Sequence, residues 1–159
     1  MKIFCSVTFI LLFSLTSCNN NRIAEFNQAI VSSRAHTVSV HSNFEYKLKT
    51  AMWANSYSDF EKEVDISLAK IDMDIEAVKY LKVPEGGERY KETALIAFDA
   101  AKDAIEAARK ITKITDSLSA EEKNAILERY NEILEKYNEK DNDLVQAQSE
   151  FARAKGLKM

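Results

Sequence analysis

The chain has 159 residues, with 22 basic and 25 acidic side chains and a formal net charge of −3. No Lys/Arg block or basic stripe interrupts that balance, which argues against nucleic acid as a partner. Two cysteines and two histidines leave little material for a disulfide framework or a metal centre.

The first element is the apolar run IFCSVTFILLFSL at 3–15, preceded by Lys2. A bilayer-spanning helix needs roughly 20 apolar residues, so this run is too short to be a stable span. Its length and its flanks fit a secretory leader. Leu15, Thr16, Ser17 and Cys18 then resemble the bacterial lipobox: an aliphatic residue, two small residues and a cysteine. That resemblance implies cleavage between Ser17 and Cys18 and lipidation of the Cys18 thiol, so that residues 1–17 are removed. Residues 18–21, with Asn19, Asn20 and Asn21, would then form a short lipid-anchored tether. Two or three acyl chains hold a protein firmly where one would not. Cys5 leaves with the leader, so no disulfide within one chain is expected. In enterobacterial lipoproteins an Asp after the modified cysteine favours inner-membrane retention. Asn19 stands there in this chain, so the outer membrane or the cell surface is expected.

Residues 22–156 suit one domain. Pro84 is the single proline, and Gly86, Gly87 and Gly156 are the three glycines, so long uninterrupted elements are expected. From 22 to 54, Ile23, Phe26, Ile30, Thr37, Val40, Phe44, Leu48 and Met52 recur mostly at steps of three or four. From 58 to 82 the series is Phe60, Val64, Leu68, Ile71, Ile75, Val78 and Leu81, opened by a capping box of Ser58 and Glu61. VPEGGE at 83–88 breaks the pattern. A third, alanine-rich series runs from Tyr90 to Leu118. Ser119 with Glu122 forms a second capping box, which starts a fourth series from Ile126 to Ala154 with Gly156 as its C-cap. Glu106–Lys110 and Glu132–Lys136 have the spacing of favourable i, i+4 pairs. Each stripe has a charged back and must be buried against another. Short connections make neighbours antiparallel, so the expected fold is all-α: an up-down-up-down antiparallel four-helix bundle with long helices. A three-helix arrangement with 88–155 continuous is the rival, and the box at Ser119 argues against it.

Little in the sequence points to chemistry. A carboxylate-bridged di-metal site needs Glu-x-x-His pairs, yet Ser33 precedes His36 and Val38 precedes His41 at that spacing. The two histidines sit five apart, about 140° around a helix, and read as surface or bundle-edge residues. Asp59/Glu63, Asp72/Glu76, Asp99/Asp103 and Glu128/Glu132 read as solvated helix faces rather than an acid–base pair in a cleft. No nucleophile elbow or phosphate-cradling loop is present. No catalytic, cofactor-binding or metal-ligating residue is therefore assigned, and an enzyme is not expected. Met52, Trp53, Tyr57 and Phe60 form an aromatic cluster at the first far-end turn. They are the candidate partner-binding residues, because Trp and Tyr bring large contact area at small entropic cost. The bland reading is that they plug the end of the core.

With the lipobox and helices in view, "AEFNQAIV", "LAKIDMD…YKETALIAF" and "EKYNEKDNDLVQAQSEFARAKG" resemble a family of small helical bacterial surface lipoproteins. These are the ErpY-like lipoproteins of spirochaetes and their counterparts in Bacteroidetes. The resemblance implies surface exposure and binding of external proteins, and supplies no active residues. The expected function is a lipid-anchored envelope protein that presents helix faces to a protein partner. The alternatives are a periplasm-facing structural spacer or chaperone-like lipoprotein and, further off, a carrier of a small ligand or metal in the bundle core. The partner's identity and the oligomeric state are not legible in the sequence.

Overall fold

The computed structural model describes residues 7–54, 56–57, 60–114 and 117–157, with side chains from residue 21 onward. The described residues form four helices and no strand: α1 (Val7–Ala54), α2 (Phe60–Lys79), α3 (Glu88–Ile111) and α4 (Ala120–Lys155). Ile111 ends α3 and a separate helix begins at Ala120, so the three-helix alternative does not hold. Among the described residues no helix is long and apolar enough to cross a membrane.

The buried stripes explain the packing. On α1, Ile23, Phe26, Ile30, Ser33, Thr37, Val40, Phe44 and Leu48 step by three and four and are buried. On α2 the same rhythm gives Phe60, Val64, Ser67, Ile71, Asp74 and Val78. On α4 the heptad positions Tyr130, Tyr137, Leu144 and Phe151 face inward. The α3 stripe is mostly alanine: Ala94, Ala97, Ala101, Ala104 and Ala108 are each at most 1 % exposed. Short side chains let backbones approach closely, so α3 becomes the central helix. It packs most extensively on α4, then on α2 and α1. Among the described residues α2 and α4 do not touch, and α1 approaches α4 only lightly.

Side-chain pairs fix the directions. Phe44 lies 5.2 Å from Phe60 and Thr37 bonds Asp74, so α1 and α2 are antiparallel. Phe26 meets both Tyr90 at 5.9 Å and Phe151 at 5.5 Å. These contacts place the start of the α1 stripe, the start of α3 and the end of α4 at one end of the bundle. The α1–α2 and α3–α4 connections lie at the other. Arg109 ties α3 to α2 through Glu61 at 2.5 Å and through Asp65, and Glu106 holds it at 2.8 Å. Arg109 is thus the partner of Glu106, where the sequence spacing pointed to Lys110. Likewise Glu132 bonds Arg129 at 2.8 Å, not Lys136. The i, i+3 guanidinium outcompetes the i, i+4 ammonium in both places, because its planar fork loses less entropy per bond.

The helix ends are closed by local chemistry. Ser119 accepts from the Glu122 amide, and the Glu122 carboxylate accepts from the Ser119 amide at 2.8 Å. The Ser119 amide first, and then the Ser119 hydroxyl, hold the Glu122 carboxyl below its usual range. Gly156 adopts φ 65° at the C-cap of α4, and the Leu157 amide donates back to the Ala152 carbonyl at 2.9 Å. Between α2 and α3, Lys91 Nζ donates to the carbonyls of Lys79 and Leu81, satisfying the end of α2. Gly86 there has φ 76°. Gly87 is instead closely enclosed: a Cβ on it would meet Phe26 Cε1 and the Pro84 carbonyl oxygen at 3.1 Å. The capping box expected at Ser58 lies outside the described residues.

Candidate functional site

The four aromatic and sulfur-bearing residues of the far-end cluster separate into two pairs. Phe60 is buried against Phe44, and Tyr57, half-buried, packs edge-on against Phe60 at 6.4 Å. Burial pushes the Tyr57 hydroxyl above its ordinary pKa. These two rings plug the end of the core. Met52 and Trp53 point outward, and Trp53 is 95 % exposed, the highest value among the large apolar side chains described. Tyr46, two helical turns before Trp53 on the same face, is 73 % exposed. Beside them, a groove of about 370 Å³ opens between the end of α1 and the start of α2. Ala51 and Phe60 supply its apolar side, and Lys47 bonds Glu63 at 2.6 Å across its wall.

A second polar cluster lies inside the bundle. Asp74, 8 % exposed, stands in the core stripe of α2. Thr37 Oγ1 donates to its carboxylate at 2.9 Å, and the His36 ring lies 2.8 Å away with Nδ1 facing it. An unpaired carboxylate there would cost several kcal/mol, of order 3–5, and these two donors from α1 remove that penalty. One turn earlier, Arg34 reaches α4 and donates through Nε and Nη2 to both oxygens of Asp141, at 2.7 and 2.6 Å. This fork–fork pair spans the gap where α1 and α4 backbones stay apart. Tyr137, beside it, has its hydroxyl pushed up to about 12, first by burial and then by the Asp141 carboxylate.

His41 departs from the edge position expected for it. It is 5 % exposed, its ring lies 4.4 Å from that of Tyr137, and its Nε2 is buried without a hydrogen-bond partner. Burial lowers its pKa, with the nearby Glu45 carboxylate opposing. His36 does sit at the edge, bridging solvent and Asp74. Sequence reading missed Asp74, although a signal was present: Ser67 and Asp74 are in phase with Val64, Ile71 and Val78. An apolar-only count skips polar residues that occupy stripe positions.

None of these clusters assembles reactive chemistry. Asp74 is saturated by structural donors, and the pairs Asp72/Glu76, Asp99/Asp103 and Glu128/Glu132 face solvent. Asp59 lies outside the described residues. Among the described residues no group of three His, Cys, Asp or Glu converges as a metal site would require. A groove of about 500 Å³ runs along the α3–α4 contact, with charged rims over an apolar floor. The expected leader at 1–17, the expected cleavage position between Ser17 and Cys18 and the Cys18 thiol lie outside the described side chains. The backbone of 7–21 is helical and continuous with the rest of α1, so the segment 18–21 expected to be a tether is part of that helix. Comparison with protein-family models, with curated proteins and with solved structures finds no match to the chain.

Proposed function

We propose that the chain is a lipid-anchored protein of the bacterial cell envelope, at the outer membrane or cell surface, that works as a non-enzymatic protein-interaction module. Trp53 is the observation that carries this reading. A tryptophan left 95 % exposed beside exposed Tyr46 and Met52 has the chemistry of an interface anchor rather than of a solvated helix face. It sits about 50 Å along α1 from Cys18, so an anchor at Cys18 would hold it well clear of the lipid. The lipobox-like Leu15–Cys18 segment supports the anchored location, and the absence of a cleft with an activated nucleophile or acid among the described residues supports a binding role.

Cross-linking on intact cells followed by mass spectrometry tests the reading. A neighbour captured by the wild-type chain should be lost in Trp53→Ala while the thermal midpoint stays the same, because Trp53 buries almost nothing. Cys18→Ser should leave the protein unacylated and absent from the membrane fraction. An unchanged cross-linking pattern for Trp53→Ala would refute the interaction surface. Unchanged mass and partitioning for Cys18→Ser would refute the anchor.

A further inference from the structure

The groove between α3 and α4 is lined by different residues from the groove beside Trp53. Its floor is Ala107, Ile126, Tyr130 and Ile133. Ala107, Ile126 and Ile133 are only half-buried, so apolar surface remains in contact with water. It stays uncovered because α2 does not reach α4.

The charges around this floor are unequal. Arg109 is neutralised by Glu61, Asp65 and Glu106, and Arg129 by Glu132. Lys110, Lys113 and Lys136 also line the groove, and among the described residues none of them has a carboxylate partner. Three unpaired ammonium groups around one apolar floor run against the acidic balance of the chain. Asp103 lines the end near Lys136, so the more electropositive end is that of Lys110 and Lys113.

We propose that this groove binds a single-chain anionic amphiphile, a carboxylate on an unbranched alkyl chain. The head group sits between Lys110 and Lys113, and the tail lies over Ile126 and Ile133 toward Lys136. The helical rise from Asp103 to Ile111 is about 12 Å, and Lys113 stands two residues farther on, in the turn after α3. With that turn included, the span suits an extended chain of roughly 12 carbons, since each carbon–carbon bond of about 1.5 Å advances a zigzag by about 1.25 Å. The volume of about 500 Å³ falls within the range of small-molecule sites. A partner helix fits less well, because both rims are charged and only the narrow floor is apolar. Such a helix would have little against which to bury an apolar stripe about 100° wide.

The rival is that the stems of the three lysines cover the floor themselves, with the heads of Lys110 and Lys113 complementing the negative end of α3. Isoleucine-methyl NMR on the full chain carrying Cys18→Ser separates the two. Sodium dodecanoate, kept below its micelle concentration, should give saturable shifts confined to Ile126 and Ile133. Decanoate should bind more weakly, by about two- to fourfold per methylene removed. Dodecyltrimethylammonium should not saturate the site. Lys110→Gln with Lys113→Gln should weaken dodecanoate binding by about tenfold, and Ala107→Phe should abolish it by filling the floor. Absence of saturation in the wild-type chain, equal response to the cationic amphiphile, or shifts spreading to the core residues Ile30 and Ile71 would each overturn the proposal. The head-group comparison needs no variant, so it stands even where a substitution harms folding.

Discussion

Thr37→Val tests whether the buried carboxylate of Asp74 is held by α1. Valine has the shape of threonine without its hydroxyl, so the substitution removes one donor from a carboxylate that is 8 % exposed and leaves packing intact. A hydrogen bond to a charged group contributes about 1.5–3 kcal/mol, so a loss of about 2 kcal/mol is expected. His36 retains its contact at 2.8 Å, which keeps the carboxylate from being orphaned and the loss from rising further. For a domain of this size the urea slope is about 2 kcal/mol per molar, which makes the midpoint shift about 1 M. The measurement is urea unfolding followed by far-ultraviolet circular dichroism, at a pH where the carboxylate is ionised. The cycle is completed by Asp74→Leu and the double variant. In the Asp74→Leu background the same Thr37→Val change should cost close to nothing, giving a coupling of about 2 kcal/mol. Asp74→Leu by itself is expected to be mild, since the desolvated charge disappears together with its bonds. If Thr37→Val shifts the midpoint equally in both backgrounds, the carboxylate and the hydroxyl are not coupled and the account of the polar cluster fails.

Gly87→Ala should destabilise by about 1–3 kcal/mol in the same unfolding assay, because the new methyl group meets Phe26 and Pro84 at contacts of 3.1–3.2 Å and the turn must shift. Ser119→Ala should cost about 1 kcal/mol through loss of the α4 N-cap, and Ser119→Asp should restore most of it. The lowered pKa of His41 makes stability depend on pH. Its contribution is complete above the unfolded value of about 6.5 and is lost as pH falls from there toward the folded value, because the unfolded chain binds the proton first. Midpoints measured across that window should show this slope in the wild type and a flatter one in His41→Leu; equal slopes would show that His41 titrates alike in both states.

The stripes made the helices readable. Three- and four-residue steps such as Ile23, Phe26 and Ile30, together with the breaker at 83–88 and the box at Ser119, marked four elements and their order. The ends were harder. The third apolar series continues through Ile114 and Leu118, yet α3 stops at Ile111, because a stripe does not show where backbone bonds give way to a turn. Periodicity also says nothing about which helix occupies the middle; the alanine content of the third series carried that signal, but the sequence reading did not draw it. The polar interior stayed hidden at Asp74 and His41, since their burial depends on partners from another helix. At the aromatic cluster, residue type could not separate Phe60, which turns inward at the start of α2, from Trp53, which points outward from the last turn of α1.

Among the described residues the backbones of α2 and α4 do not meet, so these two walls communicate through the alanine column of α3 between them or through the side-chain bonds that α1 makes to Asp74 and Asp141. Methyl side chains have no rotamers to rearrange, so a displacement that takes the alanine path passes as movement of whole backbone rather than being absorbed by side-chain repacking. The middle of the molecule therefore behaves as a stiff spine, and sequence change is tolerated far better on its two flanks than along it.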